Sequence, residues 1–156
     1  MSHLNDPFRL PRNVLPSRYE IRLEPNLDAA IFAGTVTIHC TADHADAIVM
    51  NCKQLEIMTV SVNGNPCEWA LHEPTERLVI NTPANGDTRI EIAFNGILND
   101  RLRGFYRSRF NDSSGKEHVI ATSQMQSTDC RAAFPCFDEP DFKAVFAVTL
   151  VAPAGM

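Results

Sequence analysis

"RYEIRLEP", residues 18–25, settles the class of fold before any other segment is read. Tyr19, Ile21 and Leu23 fall on one side of the segment and Arg18, Glu20, Arg22 and Glu24 on the other. A period of two marks a strand with one buried face, because successive side chains of extended backbone point in opposite directions. Downstream, "FAGTVTIHCTA" sets Val36, Ile38 and Cys40 against Thr35, Thr37 and His39. "DAIVMNC" is a short apolar run suited to a more buried strand. In "TVSVNGNPCEWAL", alternating residues flank Asn63-Gly64, the dipeptide best able to supply the positive φ angles of a two-residue hairpin turn.

"RLVINTP" and "TRIEIAFNGIL" follow, separated by the turn-rich "PANGD", with Ile90, Ile92 and Phe94 on one face of the second. "NDRLRGFYRSRF", the polar loop "NDSSGKE", "HVIATSQMQ" and "KAVFAVTLVAP" complete the chain. The pattern predicts about nine strands and no helix beyond a single turn around Arg131. Strands at this spacing, broken by Gly, Pro and Asn, read as an all-β fold, an antiparallel two-sheet sandwich or a close relative.

At 156 residues the chain is long enough for one domain with a core that needs no staples. A net charge of -5 argues against a nucleic-acid partner, which would call for clustered Lys and Arg. The first twenty residues contain no apolar leader-like run, and no window approaches the ~20 apolar residues of a membrane helix. A soluble, cytoplasmic protein is expected. The five cysteines are odd in number and scattered, which points to reduced, mostly buried thiols. The final apolar strand candidate ends at Leu150 or Val151 with no neighbour defined after it, so the domain is expected to be truncated at its C-terminal end.

No HExxH, no paired CxxC and no two histidines four residues apart are present. His39 and Cys40 should face opposite sides of their strand, and the spacing of Cys130 and Cys136 matches no common zinc pattern, so no metal site is expected. Ser123, Ser127 and Cys130 lack a GxSxG turn and an adjacent basic histidine, and His118 lies on the preceding strand. No catalytic residue is expected.

One stretch fits neither period: "SQMQSTDCRAAFPCFDEP", residues 123–140. Pro135 and Pro140 bias Phe134 and Glu139 toward extended or turn backbone. Arg131 is close enough in sequence to pair with Asp138 or Glu139 and fix the loop. Gln124 and Gln126, two residues apart, share a face if the strand runs through both. They form either a ladder pair on a sheet or a polar handle aimed at a ligand.

"GFYRS" at 104–108 and "ATSQMQSTDCRAAFPCFDEPDFKAVFAVTL" at 121–150 closely resemble the N-terminal domain of the M1 family of zinc aminopeptidases, and "RLPRNVLPSRYEIRLEPNL" fits that family's first strands. The resemblance covers nearly the whole chain. It implies a saddle-like β domain, residues 1–156, lying against a thermolysin-like catalytic domain that is absent from this chain. That absent domain would carry the Gly-Ala-Met-Glu-Asn motif, the HExxH zinc ligands and a distant Glu ligand. Zinc is implied for the complete enzyme only, and the isolated chain is expected to be inactive. The partners implied are a peptide substrate and the protein's own catalytic domain, with no nucleic acid and no membrane.

By the same resemblance, Gln124 lines the pocket for the first substrate side chain. Gln126 occupies a position that usually holds a Glu contacting the substrate's free amino group. Glutamine there is similar to the leukotriene-hydrolysing branch. Arg131, Pro135, Cys136, Asp138, Glu139 and Pro140 are expected to support the site structurally. The rivals are a stand-alone β-sandwich binding module and a scaffold subunit for a separately encoded catalytic partner.

Overall fold

A computed structural model describes residues 6 and 8–152. Eleven strands follow in order: β1 (Val14–Asn26), β2 (Ile31–Ala45), β3 (Ile48–Asn51), β4 (Leu55–Val62), β5 (Asn65–Pro66), β6 (Trp69–His72), β7 (Arg77–Ile80), β8 (Ala84–Ile97), β9 (Gly104–Asn111), β10 (Glu117–Gln124) and β11 (Val145–Leu150). Two single 3-10 turns, Glu73–Thr75 and Cys130–Ala132, are the helical elements among the described residues, the second at the place expected around Arg131. Among the described residues no helix is long and apolar enough to cross a membrane.

The all-β expectation holds, with three sheets. Six strands run in the order β11-β1-β2-β8-β4-β5, three as β3-β7-β6, and β9 and β10 form a two-stranded ribbon. The alternation that fixed the class of fold also fixes the faces. Tyr19, Ile21 and Leu23 of β1, Val36 and Ile38 of β2, and Ile90, Ile92 and Phe94 of β8 are all buried. Ile48 and Met50 of β3 and Leu78 and Ile80 of β7 join the same hydrophobic cluster. Burial of each such side chain stabilises by about 1.5–3 kcal/mol relative to exposure.

Close approach explains one glycine in this core. Phe32 pairs with Gly96 across β2 and β8. A Cβ on Gly96 would sit 2.2 Å from the Phe32 ring, so the ring covers the bare backbone of the neighbouring strand. Phe32 in turn meets Phe94 and Phe105 edge to face.

Three expectations are corrected or qualified. "PANGD" is not a separate turn, because β8 already begins at Ala84. Gly86, at φ 73, and a register irregularity between Ala42 and Ala45 carry the strand through it. The two-residue hairpin expected at Asn63-Gly64 in "TVSVNGNPCEWAL" forms but is cut short. Asn63 (φ 52) and Gly64 (φ 81) do make the turn, but β5 is two residues long and ends at Pro66, which has no N–H for a ladder; the chain then leaves to pair β6 with β7. Finally, the sandwich is not wholly antiparallel, since β11 lies parallel to β1 from Arg18↔Val145 to Leu23↔Leu150. A parallel neighbour needs a long crossover, and the whole of the intervening chain supplies it.

Candidate functional site

β10 ends at Gln124, which pairs with Gly104 at the start of β9. Both Gln124 and Gln126 are exposed. Only Gln124 belongs to the strand, because the chain turns immediately after it and Asp129 N–H donates to Met125 O at 3.1 Å. Of the two alternatives the ladder pair falls away, leaving one strand-end amide and one turn amide, and the peptide bond after Gln126 is cis. The glycine of "GFYRS" is explained by the same turn. Gly104 has φ 67, and a Cβ there would stand 3.0 Å from the Ala132 methyl and 3.2 Å from Asp129 O.

Behind the glutamines the turn is fastened to distant parts of the fold. Ala133 N–H and Phe134 N–H both donate to Cys130 O. Pro135 is buried, and Cys136 exchanges two backbone hydrogen bonds with Asn51 at the end of β3, at 2.8 and 3.1 Å. Phe137 N–H donates to the Tyr19 hydroxyl at 3.1 Å, and Asp138 N–H to Asn51 Oδ1 at 3.2 Å. Buried amides left without acceptors would cost about 1–3 kcal/mol each, so these contacts decide the path of the chain. Burial, reinforced by nearby Cys136, pushes the Tyr19 phenol far above its ordinary range, so it remains a neutral hydrogen-bonding group. Burial likewise pushes the Cys136 thiol up.

The choice between Asp138 and Glu139 resolves in favour of Asp138. Arg131 Nε lies 2.9 Å from Asp138 Oδ2, and Arg131 N–H donates to the same oxygen at 3.3 Å. The side chains are 13% and 11% exposed, dry enough for the pair to be held firmly. Arg131 Nη1 also reaches Glu76 Oε2 at 3.2 Å, while Lys53 Nζ sits 2.6 Å from Glu76 Oε1. Glu139 faces the other way. Its carboxylate accepts from Leu10 N–H and from Arg12 Nη2 at 2.9 Å, anchoring the N-terminal arm. Arg12 also meets Asp141 at 2.8 Å and lies over the Phe142 ring, and its guanidinium holds the Asp141 carboxyl below the usual range. Pro140 is exposed beside this anchor.

Lys53, Asn51, Glu76 and the Tyr19 hydroxyl were not singled out by the sequence reading. Only Asn51 left a signal, as a polar residue closing the apolar run "IVMN". Glu76 pairs with Lys53 and Arg131 from a left-handed backbone position, φ 53, and no local pattern announces that.

Along the chain Cys130 and Cys136 match no zinc spacing, yet the fold adds a third group to them. In space Cys130 Sγ, Cys136 Sγ and an Asp138 carboxylate oxygen all lie within 4.8 Å of one another. Among the described residues the histidines are dispersed over three strands. His39 and His44 are on β2, His72 on β6 and His118 on β10, and the chain has no HExxH motif. A cleft of about 430 Å³ borders Lys53, Glu76 and Arg77, and the two glutamines do not line it.

Residues 15–156 match the family described as the Peptidase M1 N-terminal domain. The chain belongs to that family. It is 40% identical over 153 residues to the alanine/arginine aminopeptidase of Saccharomyces cerevisiae, a match covering 91% of this chain and 18% of that protein. It is 38% identical to aminopeptidase M1-C of Oryza sativa subsp. japonica, covering 94% of this chain and 17% of the relative. With the puromycin-sensitive aminopeptidase of Caenorhabditis elegans the identity is 38%, over 91% of this chain and 16% of the other. The chain thus spans less than a fifth of the length of these relatives.

Proposed function

We propose that this chain is the substrate-pocket-contributing N-terminal domain of a zinc-dependent aminopeptidase, with Gln124 and Gln126 facing the amino end of a peptide. The observation that carries the reading is the pairing of two exposed amides with a turn locked from behind by the Arg131–Asp138 ion pair and the Asn51–Cys136 bridge. Positioning groups must be held by a rigid support, because small misplacements are costly. The zinc ligands, general base and remaining substrate contacts lie on a catalytic domain outside this sequence, so the chain alone is catalytically silent. The free thiols of Cys40, Cys52, Cys67, Cys130 and Cys136 support a cytoplasmic setting.

Gln126 presents a neutral amide where the family usually has a carboxylate. A carboxylate facing an ammonium makes a charge-assisted hydrogen bond roughly twice as strong as a neutral one. In the complete enzyme, Gln126→Glu should lower KM for free-amine peptides and leave N-acetylated peptides unaffected. An unchanged KM for the free amine would remove Gln126 from the site. Should no larger product exist and no partner restore hydrolysis, the alternative of a stand-alone binding module takes over.

A further inference from the structure

The three metal-capable groups behind the turn are brought together by separate constraints. Cys130 opens the 3-10 turn whose next amides bond its carbonyl. Cys136 is fixed by the two-way bridge to Asn51. Asp138 is held through its backbone N–H by Asn51 Oδ1 and through Oδ2 by Arg131. Among the described residues the hydrogen bonds to this carboxylate fall on Oδ2, which leaves Oδ1 as a free donor to a cation. A carboxylate oriented on one oxygen and offered on the other is the arrangement that outer-sphere partners give to metal ligands.

Charge selects the cation. With neutral thiols, Arg131 and Asp138 already cancel. If both thiols lose their protons as a divalent ion enters, two thiolates and one carboxylate are balanced by the ion and Arg131, and the site is neutral again. Neutrality in both states matters because uncompensated charge in a largely buried site is costly. Two sulfur ligands and one oxygen exclude calcium and magnesium, which require oxygen-rich shells. They suit zinc, whose bonds of ~2.3 Å to sulfur and ~2.0–2.2 Å to carboxylate oxygen place ligand atoms roughly 3–4 Å apart. A separation within 4.8 Å is closed by small side-chain rotations. Cys136 is buried, while Cys130 and Asp138 are half-buried and leave a route of entry.

We propose that Cys130, Cys136 and Asp138 form a structural site for one thiophilic divalent cation of the zinc type, with Arg131 positioning Asp138 and water in the fourth place. The site clamps the turn behind Gln124 and Gln126, and it stands independently of the peptidase reading.

The test is to strip the reduced protein of metal and titrate it with Co²⁺, following the near-ultraviolet thiolate-to-cobalt band. Thiolate bands ignore any site built from nitrogen and oxygen. One equivalent is expected to saturate the band and Zn²⁺ to bleach it. Cys130→Ala should abolish it, Asp138→Asn should weaken binding at least tenfold, and Cys67→Ala should leave it intact. Zn²⁺ should raise the Tm of the unaltered protein but not of Cys130→Ala, whose fold is checked by circular dichroism. The absence of a band, or a band that survives both Cys130→Ala and Asp138→Asn, overturns the proposal.

Discussion

The β2–β8 pair and the turn 125–142 combine burial and polar contacts in different proportions. In the pair, alternate residues such as Val36, Ile38, Ile90 and Ile92 disappear into one apolar cluster. In the turn, Ala133, Phe134, Cys136, Phe137 and Phe142 are buried in the same cluster, and polar contacts to remote points are added: Arg131 to Asp138 and Glu76, Cys136 to Asn51, Phe137 to Tyr19, Glu139 to Leu10 and Arg12. The difference teaches that a surface needing one geometry is better served by directional contacts than by burial, which is not directional.

The largest effect should come from the sheet. Phe94→Ala removes a ring packed against Phe32 and should cost about 3–5 kcal/mol in urea unfolding, with all regions losing protection together. Arg131→Ala should cost about 2–3 kcal/mol, because it leaves the partly buried Asp138 carboxylate without its cation, while Glu76 keeps Lys53. Hydrogen exchange should then rise in residues 125–142 while β2 and β8 remain protected. Equal loosening of both would show that they form one cooperative unit and would erase the contrast. Gly96→Ala should cost about 1–3 kcal/mol by driving a methyl into the Phe32 ring, and Phe32→Leu should partly relieve it in the double variant.

The smallest effect is local to the β9–β10 loop. Hydrogen bonds from the Ser114 hydroxyl, His118 and the Lys116 amide lower the Asp112 carboxyl from 3.8 to about 2. Because the folded value lies below the unfolded one, its contribution is complete above the ordinary value and is lost as pH falls through about 2. Amide resonances of Ser114 and Lys116 should shift with that midpoint in the native protein. Titration at the ordinary carboxylate value would show that the loop contacts do not hold in solution.

Legibility in the sequence follows the same division. Alternation in "RYEIRLEP" and "TRIEIAFNGIL" reports a buried face directly, because the period of extended backbone is a local property. The positive φ of Asn63-Gly64 is local too. The parallel neighbour of β1 is not, since nothing in "RYEIRLEP" says which segment completes its edge. The turn was visible as an anomaly, and its Arg131–Asp138 pair could be anticipated across seven residues. Its partners Asn51, Glu76 and Tyr19 could not, because they come from other strands and are chosen by geometry in space. The Cys130–Cys136–Asp138 group escaped for a related reason. Spacing rules test residues pairwise along the chain, and the third ligand group is oriented by a side chain, Arg131, that no metal pattern includes.

The parallel pairing of β1 with β11 has a consequence for how the molecule is made. β1 emerges from the ribosome early, yet one of its two edges finds its partner only after roughly 130 further residues, a long-range closure of the kind that slows folding. Throughout that interval the nascent chain carries an open, alternating strand edge able to accept a stray strand from another chain. Crowded synthesis should therefore endanger this protein through its first strand, and a chaperone that shields that segment during translation would protect it.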